Sequence, residues 1–313
     1  MGMETQAIIF EKPEALAVRA VELKAPAEDD LIIDVAWSGV STGTERLLWT
    51  GRMPQFPGMG YPLVPGYEAV GRISRSARDC SLREGDFVFV PGASCFGEVR
   101  GLFGGSARRL VVPARRAVAI DDSLQERGVL LALAATAYHA VAGYTLPDLI
   151  VGHGVLGRLL ARITIALGGD APVVWETNSD RVAGAMGYSV TNSEDDTNRS
   201  YRAIYDVSGS HDLLDSLISR LSPGGEVVLA GFYDVSLSFK FVPAFLREAR
   251  MRVAAEWKDP DLRAVKGLIE SGDLSLDGLI THRKTPDVAA DAYHTAFTDP
   301  TCLKMILDWS TPQ

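Results

Sequence analysis

Short apolar runs separated by turn residues fill the chain from Thr5 to about Ala119. Each run has the length and the β-branched or aromatic residues typical of a strand, and no long amphipathic helix interrupts them. The runs cover residues 7–10, 31–35, 69–73, 87–90 and 109–112. Turn sequences with Gly or Pro at residues 84–86 and 91–92 separate strands in the expected way. This part of the chain therefore predicts a β-rich, barrel-like module.

From about Asp122 onward, apolar strands alternate with helical patterns. Strands are predicted over residues 149–151, 173–175, 204–207, 225–231 and 251–257, and helices over 125–141, 158–167, 181–186 and 212–221. Two tail helices, 260–271 and 286–297, are expected to return to the first module. Such alternation is typical of a doubly wound parallel sheet. The predicted fold class is α/β, with a β-rich domain of residues 1–122 and 258–313 and a parallel-sheet domain of residues 123–257.

The composition is that of a folded globular protein of two domains. The 313 residues include 31 Lys+Arg and 40 Asp+Glu, a net charge of −9. This acidic balance excludes nucleic acid as the main partner, because phosphate binding needs a basic surface. No apolar run reaches 18 residues and the start has no apolar signal-peptide core, so we expect no transmembrane segment. The spacing of Cys80, Cys95 and Cys302 fits neither disulfides nor metal, which predicts a reduced, cytoplasmic protein.

One glycine motif carries the clearest functional signal. Residues 152–157 read Gly-His-Gly-Val-Leu-Gly, follow the predicted strand 149–151 and open a predicted helix. In this pattern the first glycine allows a tight turn, the second a close approach to a pyrophosphate, and the third close packing of helix on strand. The amides at the start of the helix then face the phosphates. The motif predicts a dinucleotide site.

Glu176 indicates which dinucleotide binds, because it ends the next predicted strand about 20 residues beyond the motif. Its carboxylate can accept hydrogen bonds from the ribose hydroxyls of NAD and would repel the additional phosphate of NADP, so NAD is predicted. Arg181 could serve a phosphate or pack over adenine. The His153 side chain could reach the phosphates, although solvent exposure is the expected state. Ser208 and Gly231 lie at the ends of two further predicted strands. The candidate cofactor-binding residues are Gly152, His153, Gly154, Val155, Leu156, Gly157, Glu176, Arg181, Ser208 and Gly231.

The order of the modules resembles the medium-chain dehydrogenase/reductase superfamily over nearly the whole chain. The matching segments are residues 62–71, 84–88, 136–140 and 278–282. The resemblance implies a GroES-like catalytic domain, a Rossmann domain and a dehydrogenase with a nicotinamide cofactor. Zinc-dependent members place ligands where this chain has Ser41, Tyr67 and the region of Ala132, and only Glu68 remains. A catalytic zinc needs three protein ligands, so a metal-free member is implied.

Residues 41–61 narrow this resemblance. The stretch STGTERLLWTGRMP and the following Phe56 to Tyr61 resemble a branch of the superfamily that acts in bacteriochlorophyll biosynthesis. That branch implies oxidation of a 3-(1-hydroxyethyl) group to acetyl on a tetrapyrrole substrate, a bacteriochlorophyllide. The aromatic and Met side chains of the loop 49–61 suit a large flat ligand, or they fill the domain's own core. A zinc-independent quinone or enone reductase and a catalytically silent dinucleotide-binding protein are alternatives, and a homodimer is left open.

Without a metal, a side chain must take the proton of the alcohol. Tyr67 is the leading acid/base, because a nearby cationic nicotinamide would lower its pKa; the alternative is a tyrosine that merely packs. Glu68 could orient Tyr67, relay its proton, or simply pair with an arginine. Ser41 and Thr44 could donate hydrogen bonds to the substrate oxygen or cap a turn. The candidate catalytic residues are therefore Ser41, Thr44, Tyr67 and Glu68.

Overall fold

The computed structural model describes residues 2–55, 57–233 and 235–310. The chain divides into two compact units, one made of the residues up to Ala132 together with those from Leu279 onward, the other of Leu133–Gly278. The segment 258–278, predicted to belong with the first module, lies in the second unit. Its helix places Asp261 2.8 Å from the Nδ1 atom of His139, and Arg162 donates to the carbonyls of Ser275 and Asp277 at 2.9 Å each. These contacts hold the segment in the second unit.

The first unit is built from β-strands. Numbered along the chain, they are β1 (Met3–Lys12), β2 (Ala15–Leu23), β3 (Asp30–Val40), β4 (Leu63–Val64), β5 (Ala69–Arg75), β6 (Phe87–Val90), β7 (Arg100–Gly101), β8 (Arg109–Pro113) and β9 (Val118–Ala119). Helix α1 (Thr44–Thr50) follows β3. All five predicted runs lie within these strands and are confirmed, whereas β2 and α1 were not predicted. The β-rich, barrel-like module is therefore the observed one.

The end of the chain completes this unit. Strands β16 (His282–Lys284) and β17 (Met305–Asp308) and helix α7 (Ala289–Thr298) belong to it. Its two sheets have the orders β2-β1-β4-β7 and β16-β17-β3-β5-β6-β9, with β8 paired to β3. Strand β17 runs antiparallel to β3, with Ile306 opposite Gly39. This pairing brings β17 beside the residues that precede α1.

A mixed aliphatic and aromatic core joins helices α1 and α7 to the sheets. Phe10 of β1 is fully buried and meets the rings of Trp49 and Tyr293 edge-on, at centroid distances of 5.4 and 5.3 Å. Such edge-on pairs add to the free energy gained by burial. The core therefore fixes the positions of the two helices that carry polar residues of the candidate site.

The second unit contains a parallel sheet covered by helices. Its elements are α2 (Leu131–Val141, which starts at the boundary), β10 (Leu149–Val151), α3 (Val155–Ala166), β11 (Val173–Trp175), β12 (Ser189–Thr191), β13 (Tyr201–Asp206), α4 (Leu214–Arg220), β14 (Leu221–Leu229), α5 (Phe241–Leu246), β15 (Arg250–Val253) and α6 (Asp259–Glu270). The strand order is β12-β11-β10-β13-β14-β15, and the paired strands run parallel. The doubly wound fold class is confirmed.

Two predicted helices differ from the observed structure for local reasons. The helix expected over 125–141 is a 3-10 segment, Asp122–Leu130, followed by α2, because Gln125 has a non-helical backbone with φ of 44°. The helix expected over 181–186 is absent, and a 3-10 turn, Ser179–Arg181, stands before it. Gly184 and Gly187 have φ of 88° and 81°, which an α-helix cannot contain. Within the described ranges, no helix is both long and apolar enough to span a bilayer.

Candidate functional site

The glycine motif lies where the direction of sheet winding reverses. It links β10 to α3, and β10 is flanked by β11 on one side and β13 on the other. Ligands of doubly wound sheets bind at this switch point, beyond the carboxyl ends of the strands. Ser208 follows β13, and a Cβ on Gly152 would come within 3.3 Å of its Cα. Gly231 follows β14, where its N–H donates to the carbonyl of Asp206 at 3.0 Å.

The three glycines meet different demands. Gly152 has φ of 106°, a conformation that side-chain-bearing residues rarely adopt. A Cβ on Gly157 would lie 1.9 Å from the carbonyl oxygen of Gly152, so helix α3 can pack there only with glycine. A Cβ on Gly154 would contact no atom of the described residues within 4 Å, so their packing does not require this glycine. Val155 and Leu156 form the first turn of α3 after it.

The carboxylate of Glu176 is held by two backbone amides. Its Oε2 accepts the N–H of His153 at 3.1 Å, and its Oε1 accepts the N–H of Asn178 at 2.8 Å. Glu176 directly follows β11 and is thus fixed next to the glycine turn. Each carboxylate oxygen has a further lone pair, so both can still accept a hydrogen bond from a ligand.

His153 is fully buried, so the expectation of an exposed side chain was wrong. Its Nδ1 lies 2.6 Å from the carbonyl oxygen of Arg181, and its Nε2 lies 2.8 Å from the hydroxyl of Tyr188. A carbonyl only accepts, so Nδ1 carries the hydrogen and Nε2 accepts from Tyr188. Burial, with a smaller effect of nearby Arg158, lowers the pKa of His153 to about 4, so the ring is neutral at pH 7. His153 therefore ties the glycine turn to the segment after β11.

Arg158 completes this connection and was not anticipated. Its Nε donates to the carbonyl of His153 at 3.0 Å, while one terminal nitrogen donates to the carbonyls of Arg181 and Ala183 at 3.0 and 2.7 Å. The side chain is buried beneath Gly184, where a Cβ would lie 2.3 Å from the guanidinium. Arg158 thus fills the space below a segment that forms no helix. The sequence signal that could have revealed this role of Arg158 is an Arg in the first turn of α3 beside a glycine-rich segment.

Two hydroxyl groups meet in the first unit. Ser41 Oγ lies 2.7 Å from the hydroxyl of Tyr67, and Thr44 lies close enough to lower the pKa of this tyrosine. The ring of Tyr67 packs edge-on against Phe103 at 5.5 Å. Burial, together with the negative charge of Glu68, raises the pKa of Tyr67 well above its usual value. Tyr67 is therefore a neutral hydroxyl, and the structure brings Ser41, Thr44 and Tyr67 together.

Glu68 pairs with a lysine, and not with an arginine. Both residues are essentially fully buried, and Lys304 Nζ lies 2.9 and 2.7 Å from the two carboxylate oxygens. The same Nζ donates to the carbonyl of Val40 at 3.2 Å. Gly39 leaves the space for this pair, because a Cβ there would lie 2.1 Å from Glu68 Oε2. Burial raises the pKa of Glu68, and the ammonium of Lys304 opposes that effect.

Known proteins resemble this chain over nearly its whole length. An alcohol dehydrogenase GroES-like domain matches residues 27–122. A 2-desacetyl-2-hydroxyethyl bacteriochlorophyllide A dehydrogenase of Rhodobacter capsulatus is 59% identical over 98% of this chain and 99% of its own length. The protein of the same name from Cereibacter sphaeroides is 57% identical over 98% and 99%. The chain belongs to this family of medium-chain dehydrogenases. It is an oxidoreductase.

Solved structures of other dehydrogenases share the fold at low identity. A protein from E. coli CFT073 described as a short chain alcohol dehydrogenase, solved with NADH, has a TM-score of 0.83 and 20% identity, over 98% of this chain and 100% of its own. A 2R,3R-butanediol dehydrogenase from Bacillus subtilis has a TM-score of 0.84 and 18% identity, over 99% and 100%. At such identities the likeness establishes the two-domain architecture alone.

The residues at the metal positions of medium-chain dehydrogenases do not fit a zinc ion here. By its resemblance to that superfamily, the chain has Ser41, Tyr67 and the region of Ala132 at the three ligand positions, and none of these three residues has the sulfur, imidazole or carboxylate that zinc prefers. Within residues 2–55, 57–233 and 235–310, no three His, Cys, Asp or Glu side chains are grouped as metal ligands would be. Burial raises the pKa of the Cys95 thiol to about 11, which opposes the thiolate form that binds metal.

The apolar loop 49–61 serves the core in part. Trp49 packs on Phe10, Met53 is buried, and the hydroxyl of Tyr61 donates to the carbonyl of Leu48. Met59 also packs against the same core. Phe56, predicted to belong to a ligand-lining loop, lies outside the described residues. The described aromatic and Met side chains of the loop thus contribute to packing in the first unit.

Proposed function

We propose that this dehydrogenase oxidises the 1-hydroxyethyl side chain of a bacteriochlorophyllide to an acetyl group, with NAD as the oxidant. The observation that carries this proposal is the 59% identity, over nearly the full length, to a relative named for a hydroxyethyl bacteriochlorophyllide. Its partner is thus a tetrapyrrole substrate. When bound, NAD would accept the hydride that leaves the carbinol carbon.

The choice of NAD rests on Glu176 and the glycine turn. Glu176 is held by two backbone amides beside the turn, where its carboxylate can accept from the ribose hydroxyls. A second negative charge at this point would be repelled, which disfavours NADP. Residues 152–157 and the start of α3 would hold the pyrophosphate, and the open space at Gly154 fits a close approach of its oxygens. Arg181, Ser208 and Gly231 would line the rim of this site.

The proton of the substrate hydroxyl is assigned to Tyr67. Because its pKa is raised, Tyr67 is neutral and can donate a hydrogen bond to the substrate oxygen. A neutral Tyr67 can take this proton only as it passes its own proton on, so the 2.7 Å bond to Ser41 would be the first step of a relay and the carboxylate of Glu68 the base that finally receives the proton. Thr44 lies close enough to lower the pKa of the same tyrosine, and Glu68, held by Lys304, supplies negative charge nearby. We infer that this chemistry needs no zinc, since the resemblance puts the zinc-ligand positions at Ser41, Tyr67 and the region of Ala132.

The test is turnover of the hydroxyethyl pigment with NAD, followed by the absorption shift that a conjugated acetyl group causes. Tyr67→Phe should lower turnover about a hundredfold or more, the usual value of positioned proton transfer. Cofactor affinity should stay unchanged, because Tyr67 belongs to the other unit. The matched control is Tyr144→Phe, which also removes one hydroxyl and keeps the ring.

Other outcomes would contradict the proposal. NAD binding without turnover would indicate a catalytically silent protein, and turnover of enones with NADPH would indicate a reductase. Normal turnover in Tyr67→Phe would show that Ser41, Thr44 or Glu68, and not Tyr67, takes the proton of the substrate. One zinc per chain that survives chelation, measured by elemental analysis, would disprove zinc independence.

We also propose that the protein is a cytoplasmic homodimer. Within the part of the chain that the structure describes, Cys80, Cys95 and Cys302 form no disulfide, which suits a reducing compartment. Strand β15 ends its sheet, its Val253 is 74% exposed, and the preceding helix α5 also carries exposed apolar side chains. Antiparallel pairing of β15 with a second copy would satisfy both open edges and cover these side chains. Val253→Lys should then halve the mass in sedimentation; a monomeric wild type, or an unchanged dimer, would refute this interface.

A further inference from the structure

A second buried carboxyl group, that of Glu45, contacts the backbone of Ser41, a member of the hydroxyl pair. Glu45 belongs to the first turn of α1, and its side chain is completely buried. Its Oε1 accepts the N–H of Ser41 at 3.1 Å, and its Oε2 accepts the hydroxyl of Tyr293 at 2.8 Å. Ser41 thus contacts Glu45 through its backbone and Tyr67 through its side chain.

The charges around Glu45 do not balance when both carboxyl groups are ionised. The groups that face it are Glu68, Lys304, Tyr67 and Tyr293, from the start of β5, the approach to β17, and α7. Lys304 is the cation of this group and holds both oxygens of Glu68. Both hydrogen-bond donors that the described residues offer to Glu45 are neutral, an amide and a phenol. A buried carboxylate with such partners is costly, so one proton tends to stay in the group.

The direction in which the pKa of Glu45 is shifted follows from this environment. Burial, with Glu68 in support, raises the pKa of Glu45 to about 7, although Ser41, Tyr293 and Lys304 lower it. Tyr67 and Tyr293 remain neutral, because burial raises the pKa of each phenol above its usual value. Glu45 is therefore the member of this group that changes charge close to neutral pH.

We propose that Glu45 is a positioning residue that stores a buried proton and so sets the pH range in which the Ser41–Tyr67 hydroxyl pair works. The inference rests on the proposed function of Tyr67. Removal of the alcohol proton places negative charge on the substrate oxygen, which accepts the hydrogen bond of Tyr67 at this pair. A neutral Glu45 permits that charge, whereas an ionised Glu45 opposes it through the intervening residue Ser41.

The experiment compares the wild type with Glu45→Gln, which keeps the size of the side chain and an oxygen for the Ser41 amide. Initial rates of pigment oxidation should show an inflection near pH 7 in the wild type, with a fall of up to about tenfold per pH unit above it. Glu45→Gln should lack this inflection and keep the cofactor affinity of the wild type. A merely structural cap would leave the profile of this variant unchanged.

Infrared difference spectra between pH 6 and pH 8.5 test the stored proton without any turnover. The wild type should lose the carbonyl band of a protonated carboxylic acid, and Glu45→Gln should lack that band change. If the band changes as expected while Tyr67→Phe remains active, the proposed function is refuted, because Tyr67 does not take the proton. The inference that Glu45 stores a proton is then retained. If Glu45→Gln retains both the band change and the inflection, the inference is overturned.

Tyr293→Phe provides a second variant in case Glu45→Gln does not fold. The phenol stabilises the ionised form of Glu45, so its removal should raise the pH of the inflection and of the infrared change together. Tyr144→Phe, which removes an exposed phenol of the second unit, is the control. Unshifted transitions in Tyr293→Phe would also overturn the inference.

Discussion

Polar groups are held in different ways in the two units. Around the glycine turn, the side chains of His153, Arg158 and Glu176 mostly meet backbone amides and carbonyls. In the cluster around the Ser41–Tyr67 hydroxyl pair of the first unit, the carboxylate of Glu68 binds the ammonium of Lys304, and Glu45 accepts a hydrogen bond from the phenol of Tyr293. The first arrangement shapes a turn and needs no ionic partner. The second depends on buried charges, so its stability and chemistry should respond strongly to the loss of one of them.

The largest expected effect is at Lys304. Lys304→Met leaves the buried Glu68 without its cation, which should cost about 3–5 kcal/mol of unfolding free energy at pH 7. The loss should shrink as the pH falls, because the raised pKa of Glu68 then allows the carboxyl group to be neutral. Chemical denaturation measures the effect.

Two variants control for the loss of a lysine. Lys240→Met removes an exposed lysine, 3.6 Å from Asp215, and should change stability by about 0.5 kcal/mol or less. Adding Glu68→Gln to Lys304→Met should restore much of the loss, because no buried charge remains. Equal destabilisation by Lys304→Met and Lys240→Met would show that the pair is not the weak point of the cluster.

The same contrast explains what could be predicted from the sequence. The glycine turn and Glu176 were recognisable because their contacts lie within one strand–helix–strand segment. Lys304 lies 236 residues from Glu68, and Tyr293 lies 248 residues from Glu45, so only the fold brings them together. No local pattern marks such partners.

Errors in the predicted elements have local causes of another kind. The sequence pattern predicted a helix over 181–186, but such a pattern carries no information on the positive φ angles of Gly184 and Gly187. Likewise, the expected exposure of His153 followed from its place in a turn. Its burial depends on Arg158 and on Tyr188, whose positions follow from the missing helix.

The second prediction uses pH to separate the two regions. The pKa of Glu45 is raised to about 7, so its contribution to stability is present below about 4.5 and is lost as the pH rises through 7. The pKa of His153 is lowered to about 4, so its contribution is present above about 6.5 and is lost as the pH falls toward 4. Each effect should amount to at most about 3 kcal/mol.

Hydrogen exchange resolves these opposite slopes. Amides of α1 should exchange faster at pH 8 than at pH 5 after correction for intrinsic rates, and amides of α3 should show the reverse. Glu45→Gln should flatten only the first slope, and His153→Gln only the second. A common slope in both helices would mean that other groups dominate.

The smallest effect is expected at Glu176. Glu176→Ala removes a ligand-facing acceptor and its negative charge, which should weaken NAD binding by about 1–3 kcal/mol and relax the preference over NADP. The turn itself should persist, because the ring of His153 and the guanidinium of Arg158 keep their bonds to the carbonyl of Arg181. Titration with both dinucleotides measures the change, and the exposed Glu194→Ala is the control. An unchanged preference would assign dinucleotide selection to another residue, whereas a loss of folding comparable to that of Lys304→Met would mean that this carboxylate, too, is a structural charge.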